Sequence, residues 1–150
     1  MTVDEIELPA GLSPDAQRLF RALLRDPHRP FLKSKDVAEH FGVRSGTLDS
    51  RFFRAGLPTL KRLLGRIFVF RVQQARESGD SISAAFLTCG ASSAQVGLRT
   101  FKLVTGGRPS SFTWPADQWL KYWIVGDLIS HPNYRDAWAK ARLFFDEVTP

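Results

Sequence analysis

Residues 99–112 read Arg-Thr-Phe-Lys-Leu-Val-Thr-Gly-Gly-Arg-Pro-Ser-Ser-Phe. Arg99, Phe101 and Lys102 sit on a run without helix breakers, Gly106-Gly107 stop it, and Pro109 and Phe112 follow at fixed spacing. A glycine stop followed by a proline is how an amphipathic helix ends and the next segment starts. This helix end sets the reading frame for the helices on either side of it.

Upstream, Ser78-Gly79-Asp80 is a turn, and SISAAFLTCG is a short helix ending at Gly90. Ser92 or Ser93 then caps the helix that carries Arg99. An earlier stretch repeats the arrangement in degenerate form. SKDVAEHFG, from Ser34, is a short helix with Val37, Ala38 and Phe41 inward and Gly42 closing it. After Val43, Arg44 and Ser45 start a second short helix with Leu48 and Phe52 inward. A short helix, a glycine turn and a second short helix form the helix-turn-helix pattern, the alternative being any αα-hairpin of an all-helical domain.

Between the two pairs, Pro58 opens a long helix running to about Ser78. Leu60, Leu63, Leu64, Ile67, Phe68 and Ala75 recur at helical spacing and define its buried side. At 100° per residue, Lys61, Arg62, Arg66 and Arg76 gather opposite, as a solvated or phosphate-facing surface. Arg71 falls inside the apolar arc, where a lone exposed charge would be odd.

The flanks are simpler. Residues 1–12 read as an unstructured lead, and Ser13-Pro14 opens a helix with Leu19, Phe20, Leu23 and Leu24 as its stripe, ended by Pro27 and Pro30. After Trp114, Pro115 opens a helix with Trp119, Leu120, Trp123, Ile124 and Leu128 on one side. Asn133 caps a second, striped by Tyr134, Ala137, Trp138, Ala141, Phe145 and Val148. All four tryptophans lie in this hairpin, which either enlarges the core or presents an aromatic partner surface.

The whole chain is 150 residues with a net charge of +6, but the charge is concentrated. From Arg44 to Arg108 there are 11 Lys or Arg against three acids, so this segment alone is +8. A basic middle between near-neutral ends suits a nucleic-acid binder. No apolar run reaches membrane-spanning length, and the acidic start MTVDEIELP reads as neither a signal nor a transit peptide. The single cysteine, Cys89, excludes an internal disulfide and makes the cytoplasm the default compartment. His28, His40 and His131 are scattered without metal-ligand spacing, and no phosphate-cradling glycine loop precedes a Lys. The expectation is a non-enzyme without metal or cofactor.

The stretch from Ile82 through Gly90, Arg99, Phe101, Lys102, Gly106 and Pro109 to Phe112 resembles the second helix-turn-helix of AraC-type transcription regulators, without gaps. Ala38, Gly42, Leu48 and Phe52 match the first. The resemblance covers about residues 31–113, leaving 1–30 as an N-terminal lead and helix and 114–150 as a C-terminal hairpin packed on the same domain. It implies an all-α fold with two helix-turn-helix subdomains joined by a long linker helix. Each subdomain would present a recognition helix to the major groove of double-stranded DNA.

The same resemblance places base contacts on Gly46, Asp49 and Ser50 in the first recognition helix. In the second it places them on Ala94, Gln95, Leu98 and Arg99. The second set is chemically apt, since Gln pairs with adenine, Arg with guanine, and apolar groups with the thymine methyl. The first set chiefly positions. Phosphate contacts are expected from Arg44, Arg54, Arg62, Lys102 and Arg108.

The chain also departs from the family pattern. About four extra residues separate Gly56 from Arg71, and Ala91 stands where the family has phenylalanine. Gly97 replaces a bulky apolar residue, and Phe86 an alanine, so Phe86 is expected to fill part of the vacated volume. The expected role is bacterial transcription regulation without an effector domain. The alternative is a degenerate scaffold that binds a protein partner, RNA polymerase among the candidates, through the Trp-rich hairpin.

Overall fold

The computed structural model describes residues 34–129 and, upstream, residues 7–8, 10–12, 14, 17 and 21. The expected helix with Leu19 to Leu24 and the helix from Asn133 lie outside the described residues, as do the side chains of Phe41 and Leu128. The described part is all-helical: α1 Ser34–Phe41, α2 Ser45–Ala55, α3 Leu60–Glu77, α4 Ile82–Thr88, α5 Ala94–Thr105, a 3-10 turn Pro109–Ser111, α6 Ala116–Ile124, and a π-helical turn Val125–Ile129. None of these helices is long and apolar enough to cross a membrane.

The tight turns follow from local chemistry. At the end of α1, Gly42 takes φ 69°, Val43 N–H donates to Ala38 O (2.9 Å) and Gly42 N–H to Glu39 O (3.2 Å). At the end of α4, Gly90 takes φ 101°, Ala91 N–H donates to Phe86 O (3.0 Å) and Gly90 N–H to Leu87 O (3.2 Å). This paired arrangement is the Schellman ending, which needs a left-handed residue that glycine supplies without strain. The residue after each glycine then turns back onto the core. Hydroxyls cap α4 and α5, Ser81 accepting from Ala84 N–H and Ser93 from Val96 N–H, whereas α2 starts at Arg44 without a side-chain cap.

Helix α3 is the spine, touched by α1, α4, α5 and α6. It begins at Leu60 rather than Pro58, because the Thr59 hydroxyl caps it by accepting from Arg62 N–H (3.2 Å). Leu60, Leu63, Leu64, Ile67 and Phe68 are buried as the spacing predicts. Gly65, Val69, Phe70, Val72 and Gln73 are buried as well, so the opposite side of α3 is not the open basic face its arginines suggest.

What covers that side is α6 and the segment leading into it. Gln73 Nε2 donates to Trp114 O (2.8 Å), and Trp119 Nε1 donates to Arg66 O (3.0 Å). A Glu77 carboxylate oxygen accepts from Ala116 N–H (2.7 Å), capping α6 from another helix. Trp119, Leu120, Trp123 and Ile124 are all buried, so this half of the expected hairpin enlarges the core. Aromatic rings tie the layers together in one chain: Phe68–Phe86 (6.0 Å), Phe86–Phe101 (6.0 Å), Phe101–Phe112 (5.3 Å) and Phe112–Trp119 (5.4 Å). Each such contact adds roughly 0.5–1.5 kcal/mol beyond burial.

Cys89 is a core residue. Burial pushes its thiol up to about 11, with Arg71 opposing and Asp80 reinforcing the shift.

Candidate nucleic-acid interface

Helix α5 is amphipathic in a way that fixes which side it shows. Gly97 and Phe101 face the core, and Val104 packs beside them. A Cβ on Gly97 would stand 2.4 Å from Phe86 Cγ, so α4 and α5 approach more closely there than any side chain on residue 97 allows. Phe86 thus fills the volume that Gly97 vacates, as expected from the sequence.

With that side locked, Gln95, Arg99 and Lys102 are exposed, Leu98 is 36% exposed, and Ala94 is half-buried at the start of the helix. Arg108, just beyond the glycine stop, is exposed too. No acidic residue occurs between Asp80 and Asp117, so this outward surface is purely cationic and neutral.

Helix α2 presents Gly46, Asp49, Ser50 and Arg54 outward, and Arg44 is exposed at its N-cap. The space around Gly46 is open. The charge here is mixed: Ser34 to Leu57 holds four Lys or Arg and three acids. Phe53, beside Arg54, is 83% exposed.

Arg62 is engaged elsewhere. Its Nε and a terminal nitrogen donate to the two Asp127 oxygens at 3.1 and 3.0 Å, and Arg66 Nε donates to Asp127 at 3.1 Å. Burial pushes the Asp127 carboxyl up, but the Arg62 and Arg66 hydrogen bonds and charges outweigh it and hold the group below its usual range. The Arg62 guanidinium is raised, its bond to Asp127 outweighing partial burial.

Arg66 also donates to Val104 O (3.3 Å) and lies over the Trp119 ring at 5.6 Å. Arg76 donates to Gln73 Oε1 (2.9 Å) and Pro109 O (3.2 Å). Three of the four cations expected on one basic face of α3 are therefore fastened to the scaffold; Lys61 remains exposed. The Asp127 clamp had one sequence signal, a lone acid within the apolar run VGDLI.

The structure therefore sorts the cations. Arg44, Arg54, Arg99, Lys102 and Arg108 are exposed on or beside the two short-helix pairs. No protein-family model, curated protein or solved structure matches the chain.

Proposed function

We propose that this chain is a cytoplasmic bacterial transcription regulator of AraC type that binds double-stranded DNA, with α5 reading bases in the major groove. The observation that carries this is the exposed, acid-free outer surface of α5, with Gln95, Leu98, Arg99 and Lys102 outward and the inner side locked on α4. Gln95 suits adenine, Arg99 suits guanine, and Leu98 with the adjacent Ala94 suits a thymine methyl. Helix α2, with Gly46, Asp49 and Ser50 outward, contributes position more than readout.

Affinity rests on phosphate contacts from Arg44, Arg54, Lys102 and Arg108. With Arg99 engaging a base, about four phosphates are neutralised. The logarithm of the binding constant then falls with the logarithm of salt at a slope near −4. Arg62 leaves this set, since Asp127 already holds it.

The test is to mix the protein with fragmented genomic DNA at low and near-physiological salt and sequence what it retains. A discrete motif surviving the higher salt is expected. Gln95→Ala and Arg99→Ala should each relax preference at one position, by about 1–3 kcal/mol of discrimination. Uniform retention lost with salt would reduce the protein to a non-specific binder, and no retention would refute DNA binding.

One observation favours a second reading, a protein-interaction module. Trp114 and Tyr122 pack edge-on at 4.9 Å yet stay 37% and 60% exposed. That aromatic surface is where a partner such as RNA polymerase would engage if no DNA is retained.

A further inference from the structure

A groove of about 470 Å³ runs along α5, between it, α4 and the Pro109 turn. Its floor is apolar, formed by Ile82, Phe86, Leu98 and Pro109. Lys102 and Arg108 stand on its rim, Gln95 offers an amide, and no acid lines it. Pockets of roughly 300–1,000 Å³ with an apolar lining and a few convergent polar groups are where small ligands bind.

A bare anion would leave that floor wet, and an uncharged hydrocarbon would leave both cations without a partner. A flat apolar body bearing one carboxylate satisfies both. We propose that this groove binds a small aromatic carboxylate, its ring on Ile82, Leu98 and Pro109 and its carboxylate on Lys102 and Arg108. Gln95, Leu98 and Lys102 belong both to this groove and to the outward surface of α5. Ligand and DNA therefore exclude each other, a consequence that rests on the DNA-binding role proposed above.

The experiment is calorimetric titration of the full chain with 2-naphthoate at near-physiological salt, beside acetate, inorganic phosphate and 2-naphthylmethylamine. One saturable site for 2-naphthoate is expected, with the other three at least tenfold weaker. Ser83→Trp fills the groove from an exposed position on α4 and should weaken 2-naphthoate at least tenfold. Ser110→Trp, outside any long helix, does the same should the first variant fail to fold. Lys102→Gln with Arg108→Gln should weaken the carboxylate several-fold and strengthen the amine, whose repulsion by the two cations is removed.

Equal binding of 2-naphthoate and the amine, or binding indifferent to both tryptophans, overturns the site. Phosphate binding as tight as 2-naphthoate also overturns it, making the groove a track for a phosphate backbone. On retained DNA, 2-naphthoate at ten times its dissociation constant should raise the apparent Kd about elevenfold, by simple competition. DNA retained without competition overturns the exclusion. A chain that binds 2-naphthoate but no DNA keeps the ligand site and loses the regulator.

Discussion

Among the described residues, Gly46, Gly65 and Gly97 lie inside α-helices, and replacing each by alanine should give three different answers. Gly→Ala in a helix interior gains about 1 kcal/mol from backbone entropy alone. At Gly46, near the start of α2, nothing lies within 4 Å of where the new methyl would go. That variant should gain about 0.5–1 kcal/mol, a rise of about 1–4 °C in Tm for a domain of this size.

At Gly97 the same methyl would stand 2.4 Å from Phe86 Cγ and 2.5 Å from Phe86 Cβ. Ordinary carbon contacts are about 3.5–4.0 Å, so something must move by roughly 1 Å. Phe86 cannot swing aside, because its ring is held between Phe68 and Phe101 at 6.0 Å from each. Overpacking of this kind costs about 1–3 kcal/mol, and contact at the root of a side chain belongs at the upper end. Subtracting the helical gain leaves about 2 kcal/mol of destabilisation, a Tm fall of about 4–8 °C.

Gly65 should fall between, since its methyl would meet only a terminal Val104 methyl at 2.9 Å. Thermal melts followed by far-UV circular dichroism at fixed ionic strength decide the ranking. A Gly97→Ala protein that melts higher than wild type, as Gly46→Ala should, would refute the close approach of α4 to α5.

The charges make a separable pair of predictions. Lys102→Gln should shallow the salt slope of DNA binding by about one, whereas Arg62→Gln should leave it unchanged because Asp127 already holds that guanidinium. Equal loss in both would mean Arg62 leaves its clamp for phosphate. Asp127→Asn should lower stability at neutral pH by about 1 kcal/mol, as expected for a partly exposed pair. The folded Asp127 group lies below its unfolded value of about 3.9. Its contribution is therefore complete above that value and is lost as pH falls through the lower, folded one. The stability gap between wild type and variant should stay flat down to about pH 4 and close below it; a gap unchanged in strong acid would contradict the clamp. Cys89, buried and pushed up to about 11, should alkylate at pH 8 about two orders of magnitude more slowly in the native protein than in denaturant. Rapid native alkylation would show that the thiol is accessible.

Helix ends were legible in the sequence wherever a few neighbouring residues decide them. Gly42, Gly90 and Gly106 end their helices with positive φ, and Ser93 caps α5, as the spacing implies. The inward residues Leu48 and Phe52 were equally legible, because one-sided burial leaves a periodic trace. Helix α3 defeated the same rule. Its arginines at 62, 66 and 76 resemble a solvated face, yet Val69, Val72 and Gln73 between them are buried beneath α6. A helix covered on both sides has no single apolar stripe, and its partner lies some forty residues further along the chain. Arg62 was misplaced for that reason. Its partner Asp127 sits in a π-helical turn 65 residues further on, and the lone acid in VGDLI does not by itself point to Arg62.

The two short-helix pairs diverge differently inside and outside. Matched at their glycine turns and second helices, Ala38 corresponds to Phe86 and Leu48 to Gly97, all four buried. The first pair sets a small residue on its leading helix and a large one on its second; the second pair reverses this. Such a swap conserves volume between packed helices. Phe52 and Phe101 hold the same inner place in both. Outside, no such balance holds. Gly46, Asp49 and Ser50 correspond to Gln95, Leu98 and Arg99, so short or acidic groups face longer side chains and a cation. Packing requires the interior to compensate; nothing in packing makes one exterior poor in reach and the other rich. The DNA-binding role proposed above would account for it, with α2 placing the protein on its target and α5 reading it. The fastened arginines of α3 reach Asp127 just after α6, Val104 on α5 and the Pro109 turn, so they tie α6 and the second pair to the spine.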